Sequence, residues 1–150
     1  MIRGWGIVIS EKPKATNYRE LLVWQKAFGL VKDVYSLTGE FPAQEKYGLV
    51  AQLRRAAVSV PSNIAEGQAR HSTREFILVV SHAEGSAAEL ETQLLISVEL
   101  GYCEDGKAQR VLDGVTEVRK MLGSLPEKTH RPCLTTNHYP LITLLCPALP

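Results

Sequence analysis

The chain has 150 residues, 45% of them hydrophobic and 22% charged, with a formal net charge of +1. Such a chain is one soluble domain with enough apolar residues for a core, which excludes a disordered or collagen-like protein and any global pull toward nucleic acid or anionic membranes. Between Arg19 and Leu125 there are 12 basic and 14 acidic residues, so the positive excess sits in the flanks, at Arg3, Lys12, Lys14, Lys128 and Arg131.

Residues 1–17 hold no helical period and read as an N-terminal extension. Ile7-Val8-Ile9 is too short for the apolar region of a secretory signal, and no small-residue cleavage site follows. The first helix is predicted from about Tyr18 to Thr38, with Leu21, Trp24, Phe28, Val31 and Tyr35 as its apolar stripe and Gly39 as its stop. A second helix begins just after Phe41-Pro42, with proline at or near its first turn, and runs to about Arg70. It carries two stripes at helical spacing. Leu53, Ala56, Val60, Ile64 and Gly67 form a buried seam, and Gln52, Arg55, Ser59, Asn63, Glu66 and Arg70 form a polar one beside it. Pro61 interrupts this pattern, removing one backbone donor and crowding the carbonyl of Ala57; Ser59 or Ser62 is expected to help satisfy that carbonyl.

The third helix has a clear start. Ser72-Thr73-Arg74-Glu75 fits a capping box, with His71 and Phe76 at the staple positions. Its apolar residues run Phe76, Val80, Ala83, Ala87, Leu90, Leu94 and Val98, ending at Gly101. The fourth helix carries Ala108, Val111, Val115, Val118, Leu122 and Leu125, and Pro126 is expected to end it. Residues 126–150 contain five prolines and the apolar run Tyr139-Pro-Leu-Ile-Thr-Leu-Leu, and read as a proline-rich C-terminal tail.

Four long helices with short connectors predict an all-α domain over residues 18–125, an antiparallel up-down-up-down four-helix bundle with non-helical N- and C-terminal extensions. Gly85, Ser86, Ala87 and Ala88 read as tight packing inside the bundle, with close approach of another backbone as the alternative. Cys103, Cys133 and Cys146 are odd in number and lack C-x-x-C spacing, which argues against a disulfide framework or a zinc site and fits a reducing cytoplasm. The longest apolar run, near Leu141 to Leu149, is broken by Pro147 and too short to span a membrane.

Motifs for chemistry are missing. There is no phosphate-binding glycine loop and no G-x-S-x-G elbow. A di-iron bundle needs two Glu-x-x-His pairs on facing helices, and the single such pair, Glu127 with His130, lies beyond the fourth helix beside Pro132. His82, Ser86, Glu89 and Gln93 share a face of the third helix, but two turns put His82 and Glu89 about 10 Å apart, too far for a base and its orienting carboxylate. Arg54-Arg55 suggests a phosphate clamp; against that stand the core's net negative charge and the lack of basic–aromatic interleaving, which favour pairing with Glu66 or Glu89.

Leu22-Val23-Trp24-Gln25-Lys26-Ala27, Phe41-Pro42 with Glu45 and Tyr47-Gly48-Leu49, and the whole run Gln52 to Gly67 resemble a bacterial family named for reading frames in intervening sequences of 23S ribosomal RNA genes. Gly85-Ser86, Glu89-Leu90-Glu91-Thr92 and Leu100-Gly101-Tyr102 extend the resemblance, which covers about residues 18 to 125. The resemblance implies a cytoplasmic up-down-up-down bundle assembling as a ring-like homopentamer, without established enzymatic activity. A relative in diversity-generating retroelements is a strongly basic accessory protein that binds a reverse transcriptase and nucleic acid.

Three functional expectations follow. The leading one is a non-enzymatic homo-oligomer, needing no cofactor or metal, in which Gln52, Arg55, Ser59, Asn63, Glu66, Arg70, Ser86 and Glu89 form subunit contacts or line a channel. The second is an accessory protein that binds RNA or DNA, or a reverse transcriptase, through Arg54, Arg55 and Arg70 gathered around a ring. The third, an enzyme built on Glu66, Glu89 and His82, has no motif that demands it.

Overall fold

A computed structural model describes residues 17–127. The expected extensions, residues 1–17 and 126–150, therefore lie outside the described residues except for Asn17, Pro126 and Glu127. Within the described span the protein is all-α: a one-turn 3-10 segment at Tyr18–Glu20, then α1 (Leu22–Thr38), a second 3-10 segment at Ala43–Tyr47, α2 (Leu49–Ala69), α3 (Thr73–Glu99) and α4 (Asp105–Glu127).

The helices form a closed square. α1 packs on α2, α2 on α3, α3 on α4 and α4 back on α1, while the diagonal pairs make no comparably close backbone approach among the described residues. Every neighbour pair is antiparallel. Ser59 faces Ser86 and Gln52 faces Gln93 across α2 and α3, and Lys26 meets Glu117 while Glu40 meets Lys107 across α1 and α4. This is the expected up-down-up-down bundle.

The core is built from Val23, Ala27, Leu30, Val34 and Leu37 of α1, Leu53, Ala56, Val60 and Ile64 of α2, Phe76, Val80, Ala83, Ala87, Leu90 and Leu94 of α3, and Val111, Val115, Val118 and Leu122 of α4. The predicted seams of α2 and α4 are buried as expected, apart from half-buried Leu125, as is that of α3 except half-buried Val98. α1 differs. The stripe Leu21, Trp24, Phe28, Val31 and Tyr35 is displaced around the helix from the core, leaving Phe28 46% and Tyr35 45% exposed and the other three half-buried. Two parallel stripes at the same spacing run along this helix, and the smaller residues of the 23-27-30-34 stripe fit the close interior while the aromatic one takes the rim.

The start of the second helix also differs. Instead of one helix from Pro42, the chain makes the Ala43–Tyr47 turn, breaks at Gly48 and starts α2 at Leu49. Glu45 holds the break. Its carboxylate accepts from the Leu49 backbone N–H at 3.0 Å, supplying an acceptor to an otherwise orphan donor of the first turn, and from the Tyr102 hydroxyl in the α3–α4 loop at 3.1 Å. A Cβ on Gly48 would stand 2.6 Å from Glu45 Oε2, so glycine is what lets the carboxylate approach. That hydrogen bond, with partial burial, raises the Tyr102 pKa above its ordinary value.

Helix ends elsewhere follow their signals, with one exception. Gly39 caps α1, and Gly101 takes φ +71° just after α3, a left-handed conformation open to glycine without strain. α4 continues through Pro126 to Glu127, two residues beyond its expected end at Leu125. Inside α2, Ser62 donates to the carbonyl of Val58 at 2.8 Å and Ser59 bonds to Ser86, so neither serine serves the Ala57 carbonyl as expected.

The α3 capping box is complete. Glu75 N–H donates to Ser72 Oγ at 3.2 Å, and Ser72 donates back to the Glu75 carboxylate from both Oγ and its backbone N–H. Those side-chain and backbone bonds hold the Glu75 carboxyl below its ordinary 4.5. Ser72→Ala is expected to lower stability by about 1 kcal/mol near neutral pH. A lowered folded pKa means the carboxylate's contribution is present above the ordinary 4.5 and is lost as pH falls through the folded value. Acid titration of thermal stability should therefore fall more steeply below about pH 4.5 for the parent chain than for the variant.

Candidate functional site

The polar stripe predicted on the second helix becomes a seam along the groove between α2 and α3. At its centre Ser59 and Ser86 share a hydrogen bond of 2.9 Å, Asn63 donates to Ser59 Oγ at 3.1 Å, and Ser86 donates to the carbonyl of His82 at 3.0 Å. One step along, Gln93 donates through Nε2 to Glu89 at 2.9 Å and reaches Gln52 Oε1 at 3.5 Å. Gln93 is only 6% exposed, and its Oε1 is buried without a hydrogen-bond partner. Arg55 lies 3.9 Å from Glu89, and Arg70 pairs with Glu66 one turn away on α2.

The seam thus holds two groups of contacts, Ser59 with Asn63 and Ser86, and Gln52, Arg55 and Glu89 around Gln93, while Glu66 near the end of α2 pairs with Arg70 just beyond it. The three arginines expected to bind nucleic acid divide. Arg55 and Arg70 face carboxylates of their own chain, whereas Arg54 turns to α1, donates to Thr38 Oγ1 at 2.9 Å and lies over the Tyr35 ring at 4.6 Å. Of the pairings weighed for Arg54 and Arg55, only Arg55 with Glu89 forms. His82 is exposed on α3 and shares no hydrogen bond with Glu89.

Two exposed apolar surfaces flank this seam. On α3, Leu78, Gly85, Thr92 and Ile96 recur at steps of seven and four, so they share the outward face of the helix. Leu78 is 57% and Ile96 44% exposed, with Leu95 and Leu100 exposed beside them. A Cβ on Gly85 would meet nothing within 4 Å. The small-residue patch is thus divided: Ala87 packs inside the bundle, as expected, and Gly85 faces outward.

The second surface lies between α1 and α2, a groove of about 270 Å³ walled by Trp24, Phe28 and Val31 on one side and Val58, Pro61 and Ala65 on the other. Trp24 and Phe28 stack at 5.1 Å, and Tyr18 meets Trp24 edge-on at 5.2 Å. Cations cover the rings: Arg19 over Tyr18, Lys32 over Phe28 and Arg54 over Tyr35. This basic–aromatic interleaving is absent from the sequence expectation, because by periodicity alone the aromatic stripe reads as core. The Phe28 to Lys32 step of four was the available signal.

No group of three or more metal-ligating side chains is found among the described residues. Cys103 is half-buried as a free thiol, with burial and the neighbouring Asp105 raising its pKa. No helix among the described residues is long and apolar enough to cross a membrane.

Fold and sequence together decide the family. Residues 19–124 match the family described as 23S rRNA-intervening sequence protein. The chain belongs to that family. A crystal structure of a protein with unknown function from the S23 ribosomal protein family of Bacteroides thetaiotaomicron VPI-5482 is similar, with a TM-score of 0.64 over 69% of this chain and 97% of that chain. At 22% identity that likeness establishes the shared bundle. No curated protein matches the chain in sequence. The 23S rRNA-intervening sequence family match begins and ends within two residues of the four-helix bundle as bounded from the sequence, and it takes in the Glu45, Gly48 and Tyr102 clip that fixes the α2 start.

Proposed function

We propose that this member of the 23S rRNA-intervening sequence family is a non-enzymatic interaction module that works as a homo-oligomer, with a cytoplasmic ring-like pentamer as the expected assembly. The observation that carries this reading is the apolar outer stripe of α3. Leu95, Ile96 and Leu100 expose large apolar side chains together at one end of α3, with Leu78 and a bare Gly85 farther along the same face, and clustered exposed apolar surface marks association sites. The neighbouring α2–α3 seam supplies polar groups for the rim of such an interface, with Gln52, Arg55 and Glu89 exposed beside the stripe.

Light scattering after size exclusion tests the assembly. A pentamer scatters as five times the 16.6 kDa chain mass, and a monomer at micromolar concentration would overturn the reading. Ile96→Glu is expected to shift the assembled species to monomer with helicity unchanged, because the substituted side chain is exposed in the single chain and desolvated only at the interface. The α2–α3 polar seam is proposed to line or border the subunit contact, and Arg55→Glu should weaken it less than Ile96→Glu, since rim charges contribute little.

A further inference from the structure

We propose that the groove between α1 and α2 is a binding platform for single-stranded nucleic acid, with bases stacking on Trp24, Phe28 and Tyr35 and phosphates taken by Arg19, Lys32 and Arg54. Three observations carry this. The groove has the aromatic composition of a stacking surface, and Trp24 and Phe28 already form a two-ring stack, ring planes 20° apart, that a base can extend. Phe28 and Tyr35 are nearly half exposed, so their ring faces are within reach of a ligand. Tyr18, Phe28 and Tyr35 each have a cation over the ring, and among the described residues no ion pair to a carboxylate holds that cation.

Charge complementarity selects the occupant. Among the carboxylates of α1, α2 and the segment before α1, Asp33 lies in the cleft toward α4 with Lys107 and Arg110, and Glu66 is held by Arg70. Lys26 and Arg55 are likewise engaged away from the groove, by Glu117 and Glu89. Glu20 is the carboxylate left near this face, against Arg19, Lys32 and Arg54. A neutral apolar partner would leave those cations unused, whereas a polyanion with planar rings uses both features.

The geometry suits a short strand. From Trp24 to Tyr35 α1 rises about 16 Å, a span along which about three nucleotides can lie. Pro61 and Ala65 form a low α2 wall, and farther along α1, beyond the groove lining, Arg54 lies over Tyr35. On binding, a base displaces Lys32 from the face of Phe28, and the freed ammonium moves to the adjacent phosphate. The platform is a different surface from the outer stripe of α3, so it does not depend on that stripe being an assembly contact.

The test is fluorescence anisotropy of the full chain with labelled oligouridylate RNA, the corresponding oligothymidylate DNA, and an RNA duplex of equal length. Both single strands should bind at low salt and the duplex at least about ten-fold more weakly, since paired bases cannot stack on the platform. Phe28→Ala should weaken single-strand binding about ten-fold, and Lys32→Glu should also flatten the dependence of log K on log salt. Lys120→Glu, on the opposite side of the bundle, should leave both unchanged. Preference for RNA over DNA would place a 2′-hydroxyl contact in the groove, and equal binding would make the platform indifferent to the sugar; both support it. Absence of binding near 50 mM salt, equal losses from Lys120→Glu and Lys32→Glu, or preference for the duplex would overturn it. So would a Phe28→Ala variant that dissolves the assembly in light scattering while retaining full RNA affinity, because the groove would then belong to a second copy.

Discussion

Leu30→Ala is expected to lower the free energy of unfolding by about 3 kcal/mol in urea titration, while Phe28→Ala two residues away costs less than about 1 kcal/mol. Leu30 is buried, and its Cδ1 would stand 3.3 Å from a Cβ placed on Gly114 of α4, so α1 and α4 meet closely at that point. Removing three of its carbons leaves a cavity between α1 and α4, and a core cavity that neighbours fill only in part is what makes such a truncation costly. Phe28, larger and more hydrophobic, already meets solvent and loses mainly contacts with Trp24 and the Lys32 stem. The comparison tests the rotation of α1 directly. If Phe28→Ala proved the more damaging change, the aromatic stripe would have to face the core.

Glu45→Ala is expected to cost about 2 kcal/mol, more than a surface carboxylate ordinarily contributes. One side chain supplies both the first-turn acceptor of α2 and the partner of the half-buried Tyr102 hydroxyl. Glu45→Gln should keep most of that stability, because the amide oxygen still accepts from Leu49 and the amide nitrogen still reaches the phenol. Gly48→Ala pushes on the Glu45 carboxylate, so its cost should shrink in the Glu45→Ala background. A double-mutant cycle in urea measures that coupling, and strict additivity would mean the carboxylate does not hold the helix start.

Much of the fold was legible because it depends on local patterns. Ser72-Thr73-Arg74-Glu75 specifies its own helix start, and α2 and α4 each have one apolar stripe, leaving one orientation to choose. α1 has two stripes of equal period, and only the partner helices decide between them. Residue volume settles it: Ala27 and Val34 allow close approach where Trp24 and Phe28 would hold the helices apart. The broken start of α2 was illegible for a related reason, since Glu45 acts through Tyr102, far along the chain.

The polar stripe itself was readable, but its pairings were not. Ser59 meets Ser86, and Arg55 meets Glu89, only because α2 and α3 are antiparallel in one particular register. Arg54 and Arg55 are neighbours in sequence and point to opposite grooves, since adjacent helical residues are separated by about 100°. That turn sends one arginine to the α3 seam and the other to the aromatic groove.

The square of helices also sets how the molecule comes apart. Three of its four sides join helices consecutive in the chain, and such contacts form early at little entropic cost. The fourth, between α1 and α4, joins residues as far apart as Lys26 and Glu117, and it closes a loop containing nearly the whole bundle. Its polar clasps, Lys26 with Glu117 and Lys107 with Glu40, are solvent-exposed and screened by salt. This side is therefore the latch of the square. Amide protons along α1 and α4 should exchange through partial opening before those of α2 and α3, and should do so faster as ionic strength rises.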